Sequence, residues 1–131
     1  MKKLFLLSIL AIFTFGAFKV QAQAPTKGPK ITFTSIEHDY GTIAKGSDGN
    51  CEFTFKNEGT EPLILSTVKA SCGCTTPSWT KEPIMPGKTG TIKVRYNTAS
   101  VGGINKTITV TSNAVDNPRV VLRIKGNVIA Q

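Results

Sequence analysis

Two cysteines one residue apart, Cys72 and Cys74, are the side chains on this sequence best placed to do chemistry. Soft thiolates select Cu(I) and can supply half of a zinc site, and the chain has His38, Cys51 and Met85 to complete such a set, none at a diagnostic spacing from the pair. A bridge between the two is the second chemistry. On a straight strand, residues two apart are separated by about 6.6 Å, near the upper Cα separation that a disulfide tolerates, and Gly73 can supply the bend. A bridge closed this tightly is suited to thiol–disulfide exchange, although the familiar redox motif, Cys-x-x-Cys at a helix start, differs in spacing and setting. The third reading is a structural staple, since an oxidising compartment lets disulfides persist and loop closure stabilises by roughly 2–4 kcal/mol.

Three cysteines leave at least one thiol unpaired in a monomer. Cys51 shares its strand face with Phe53 and Phe55 and reads as a buried apolar residue. A cysteine or serine hydrolase needs a base beside its nucleophile, and the one histidine, His38, is remote in sequence. Glu37 and Asp39 point to the face opposite His38 in a strand, so no carboxylate pair suits glycoside chemistry. The reading is therefore of a non-enzymatic protein without a required cofactor, with Cu(I) or zinc at Cys72 and Cys74 as the metal alternative. Trp79 reads either as a stacking platform or as a cover over one end of the domain. Cys72, Gly73, Cys74, Thr75 and Trp79 together make the candidate partner-binding loop.

These residues need a scaffold, and the pattern around them is that of strands. In residues 51–56, Cys51, Phe53 and Phe55 alternate with Glu52, Thr54 and Lys56; Ile92, Val94 and Tyr96 alternate with Lys93 and Arg95; Val120, Leu122 and Ile124 alternate with Val121, Arg123 and Lys125. Ile31 to Phe33 can start a first strand, and residues 37–43 form an extended piece broken by Gly41. The nearly continuous apolar run of residues 63–70 predicts a mid-sheet strand, followed by a long loop over residues 71–88. Gly102 and Gly103 predict a turn before a strand at residues 107–111. No helical period persists in residues 31–129. About seven short strands with one apolar face each predict an all-β, immunoglobulin-like antiparallel sandwich, with a small closed barrel as the competitor.

The first 22 of the 131 residues have the basic start, apolar run and small-residue exit of a signal peptide cleaved near Ala22. Lys19 closes the apolar run short of the roughly 20 residues a membrane span needs, and none follows in the mature chain. Residues 23–30 read as a flexible lead and residues 31–129 as the domain. The expectation is a periplasmic or secreted protein. Of the 16 basic side chains, Lys2, Lys3 and Lys19 lie in the leader, so 13 against 8 acidic groups leave the mature chain at +5. That mild excess, carried by side chains that alternate with apolar residues, argues against nucleic acid and leaves a protein or envelope component as the expected partner.

Ser71-Cys-Gly-Cys-Thr-Thr-Pro77, followed by Pro83-Ile-Met-Pro-Gly87, Ile92-Lys-Val-Arg-Tyr96 and Gly126, with His38-Asp-Tyr-Gly-Thr-Ile43 and Phe55-Lys-Asn-Glu-Gly59 upstream, resembles the exported domain-of-unknown-function family 1573. The resemblance covers nearly all of the mature chain. It implies an exported, bacterial immunoglobulin-like sandwich similar to the ASPM/SPD-2/Hydin, major sperm protein and PapD-like domains, and it carries no catalytic residues.

Overall fold

In a computed structural model, the described residues are 27–130, together with Gly16. The signal-peptide reading of residues 1–22 and the first half of the lead, residues 23–26, fall outside the described residues 27–130. Eight strands, β1 (Ile31–Phe33), β2 (Glu37–Ala44), β3 (Asn50–Asn57), β4 (Leu65–Ala70), β5 (Thr75–Trp79), β6 (Thr89–Tyr96), β7 (Gly102–Ser112) and β8 (Arg119–Ile129), form two sheets. One has the order β1-β3-β6-β5 and the other β2-β8-β7-β4. All neighbours are antiparallel except β2 and β8, because the chain leaves the first sheet after β1 and joins the second beside β8.

Alternation determines which side chains fill the space between the sheets. Phe53, Phe55, Ile92, Val94, Leu122 and Ile124 all reach one interior, none more than 2% exposed, and Ile108 and Val110 of β7 join them. Their partners in the alternation, including Lys56, Lys93, Arg95, Arg123 and Lys125, face solvent. Truncating a side chain of that core costs about 2–5 kcal/mol, so these few positions hold a large share of the stability.

Three local expectations give way to the structure. Residues 63–70 do not form a mid-sheet strand: β4 is an edge strand, and Leu63 makes only an isolated bridge to Ile84. The cause is a register shift between Leu65 and Thr67, which resets the alternation so that Leu65 and Val68, three apart, both point inward and the run looks continuous. The long loop over residues 71–88 contains β5, whose Thr-Thr-Pro-Ser-Trp lacks the aliphatic alternation of a central strand because an edge strand needs to bury little. Gly102 and Gly103 are the first residues of β7, paired with Val128 and Asn127, and not a turn.

Asn57 closes the end of the sandwich away from the cysteines. Its fully buried amide donates to Glu61 O at 2.7 Å and Ile84 O at 2.8 Å, while Oδ1 accepts from Gly59 N at 2.9 Å and Lys30 N at 3.3 Å. A buried amide with both ends satisfied fixes three segments at once. Residues 27–30 are held at this pole: Gly28 N donates to Thr60 Oγ1 at 3.0 Å and Val115 N to Pro29 O at 2.9 Å.

Candidate functional site

Cys72, Gly73 and Cys74 occupy the corner at which the chain passes from β4 in one sheet to β5 in the other. Ser71 N donates to Thr107 O at 2.9 Å, which ends β4, and Asn97 N donates to Cys74 O at 2.8 Å, which starts the ladder between β5 and β6. Between these anchors the chain reverses, and Cys72 and Cys74 are joined in a disulfide with their Cα atoms 5.3 Å apart, shorter than the straight-strand spacing because Gly73 carries the bend. Cys51 is the free thiol, buried in β3. It accepts a hydrogen bond from Tyr40 Oη at 3.4 Å, and the same hydroxyl reaches Gly49 O at 2.7 Å. Burial pushes the Cys51 thiol above its ordinary pKa, only partly offset by Tyr40, and burial likewise raises the Tyr40 phenol well beyond its usual range.

The ring closed by this disulfide holds a single residue. Loop-closure entropy for so short a loop stabilises by only about 1.5 kcal/mol, half of what a 15-residue loop gives, so the bridge does little as a staple. Both cysteines are half-buried, and a Cβ added at Gly73 would meet nothing within 4 Å, so the outer side of the corner is open. On the inner side, the Thr75 side chain, 3% exposed, sets its Oγ1 3.8 Å from Cys72 Sγ and 3.7 Å from Cys74 Sγ. A disulfide has no proton to give, so the hydroxyl is the donor in both contacts.

Two further loops meet this corner. The turn at residues 45–49 is tied to the end of β6 and the residues that follow it by Gly46 N to Thr98 O at 3.1 Å, Thr98 Oγ1 to Ser47 O at 2.6 Å and Tyr96 N to Gly49 O at 2.8 Å. Gly49 is required there by close approach, because any Cβ would collide with the Tyr96 carbonyl. The three loops enclose an open, polar cleft of about 680 Å³ whose walls include Asp48, Asn50, Gly73, Cys74, Arg95 and Asn97. Arg95 and Asn50 are cross-strand neighbours on the exposed face, with Thr76 on the other side of Arg95.

The remaining candidates are not gathered here. Trp79 ends β5, about 13 Å of strand from Thr75, where it packs against the core with Lys81 Nζ 5.1 Å from its ring centroid and its indole N–H buried without an acceptor among the described residues. His38 is on β2, its ring 4.6 Å from that of Tyr40. Met85 is exposed in the turn before β6, at the opposite pole from the cysteines. Among the described residues, no three of His, Cys, Asp and Glu come together at metal-binding distance, and no helix is long and apolar enough to cross a membrane. Thr75 as the partner of both sulfurs and Asn57 as the buried amide are what residue patterns did not reveal.

No curated protein matches the chain in sequence. Among solved structures, a protein of unknown function from Porphyromonas gingivalis overlays with a TM-score of 0.69 at 18% identity, covering 83% of this chain and 51% of that one, so this chain spans about half its length. The human CEP192 PapD-like domain 7 overlays at 0.65 and 10% identity, over 82% of this chain and 93% of the domain. The CupB2 chaperone of Pseudomonas aeruginosa overlays at 0.53 and 8% identity, over 73% and 54%. At such identities the likeness is one of fold, and it places the two sheets among PapD-like immunoglobulin sandwiches. Residues 31–128, nearly the whole of the described domain, match the family described as "Protein of unknown function (DUF1573)", and the chain belongs to that family.

Proposed function

We propose that this protein is an exported, non-enzymatic binding module of the cell envelope, which captures a protein partner at the pole where its cysteine corner lies. The observation that carries this reading is the polar cleft walled by three loops that hydrogen bonds hold to one another. A pocket whose walls are already fixed binds without a large ordering cost. Recognition through loops at one end of a sandwich also avoids the sheet edges, which are poorly suited to strand addition. On β5, Asn97 N bonds Cys74 O and Thr80 N bonds Thr91 O, so the alternation of an antiparallel ladder turns the backbone of Thr75, Pro77 and Trp79 outward, and Pro77 has no N–H to offer. On β2, an edge of the second sheet, a register shift between Asp39 and Thr42, with Gly41 at φ +66° and its N–H taken by Asp39 Oδ1 at 2.8 Å, interrupts the edge. The leader-like N-terminus supports export. The single histidine, edge-on to the Tyr40 ring and hydrogen-bonded to no sulfur among the described residues, supports a role without catalysis.

A photo-crosslinking side chain at Asn50, in the cleft wall, should form one discrete adduct in envelope extract, and the same group at Thr54, on the open face of β3, should not. Arg95→Glu, which reverses the cleft's guanidinium charge, should weaken that adduct at least tenfold while leaving the fold intact by circular dichroism. Equal labelling from both positions would sink the reading.

A further inference from the structure

We infer that the Cys72–Cys74 bridge is a reversible dithiol/disulfide site for thiol substrates, and that the Thr75 hydroxyl is the donor that holds the thiolate released when the bridge opens. This goes beyond partner capture and does not depend on it. Three features converge. The bridge contributes little as a staple because its ring contains one residue. Its outer side is open at Gly73 and both cysteines are partly exposed, so thiols in solution can reach it. Its inner side presents a buried hydroxyl that lies within reach of both sulfurs and has no nitrogen or oxygen partner among the described residues.

A disulfide sulfur is a weak acceptor, and a thiolate is a strong one. The same hydroxyl therefore gains most when a sulfur becomes an anion, and being near both it can serve either as the leaving group. An external thiolate attacks one sulfur of the bridge; the Cys72–Cys74 bond breaks as the mixed disulfide forms; and the other cysteine leaves as a thiolate with the electron pair, accepting from Thr75. A second external thiolate then attacks the outside sulfur of the mixed disulfide, forms the external disulfide and releases the second protein thiolate. Two external thiols are oxidised and the bridge is reduced by two electrons; the reverse reaction reduces an external disulfide. Thr75 is a positioning residue here, acting on the ionisation of sulfur and not on the substrate.

Three forms of the protein, Thr75→Val, Thr75→Ser and the parent, should be equilibrated with glutathione mixtures and scored for bridge opening by mass after alkylation, with the pH profile of alkylation followed on the reduced forms. In Thr75→Val the half-ionisation pH of the more reactive thiol should rise by about one, a tenfold loss of thiolate at fixed pH, and the reduced fraction should fall accordingly. Thr75→Ser should restore both, which loss of packing alone would not do. A parallel arm with reduced, unfolded ribonuclease separates sources: mixed disulfides with it and with glutathione mark protein thiols as substrates, and mixed disulfides with glutathione alone mark small thiols. Coincident profiles for Thr75→Val and parent overturn the inference, as does a bridge that thiols open only once the protein is unfolded. Partner capture is scored by the Asn50 crosslink in envelope extract and bridge opening by alkylation of the protein alone, so failure of partner capture and failure of this inference are separable.

Discussion

Cys51 and the pair at residues 72–74 show how burial divides three chemically similar groups. Cys51 lies on the inner face of β3 under Tyr40, and its folded-state pKa is raised because the core does not solvate a thiolate. The stability that follows is fully present below the unfolded thiol pKa near 8.5 and is lost as pH rises toward the folded value, since the unfolded chain then gives up a proton that the folded one keeps. Tyr40 has the same sign, but its contribution starts only near pH 10, the unfolded phenol value. Between pH 8.5 and 10, urea titrations should therefore show the parent losing up to about 1.4 kcal/mol per pH unit, with Cys51→Ala, weaker throughout, nearly flat over that window. The paired cysteines could be found from spacing alone, and so could the burial of Cys51, because two phenylalanines share its parity. Thr75 could not, because a threonine after a turn looks the same whether its hydroxyl faces water or sulfur.

Strands β3, β6 and β8 were readable because each alternates cleanly over a span long enough to set a face. Strand β4 misled through its register shift and β5 through its composition, and both are edges, where the demand for apolar side chains is weakest. Those same irregularities make both edges poor templates for strand pairing between copies. Pro77→Val would supply the missing outward N–H on β5 and restore a continuous edge. Sedimentation velocity should then detect self-association several-fold stronger than in the parent, the size expected of one added backbone hydrogen bond at about 0.5–1.5 kcal/mol. Sedimentation unchanged from the parent would show that the edge is guarded by something other than proline.

The two-sheet interior followed from the alternating faces: Phe53, Phe55, Ile92, Val94, Leu122 and Ile124, each on the apolar side of its strand, meet there. Sandwich and barrel were harder to separate, because alternation reports only that one face is buried, while the pairing order that leaves four strands as edges is set by contacts distant in sequence. The cleft was illegible for the same reason: its walls come from three turns whose meeting depends on the whole β framework. The parallel placement of β2 beside β8 also sets which ends of the polypeptide lie near the cleft. Lys27 emerges beside Thr60 and Val115, at the far pole, whereas β8 finishes at Ile129, whose carbonyl accepts from Lys45 N at 2.8 Å at the margin of the cleft. Immobilising the domain by its N-terminus on a biosensor chip should leave capture undiminished, while a bulky fluorescent protein appended after Ala130 should cut the binding signal at least tenfold. A display format that grips the molecule by its tail would cover the surface it was meant to offer.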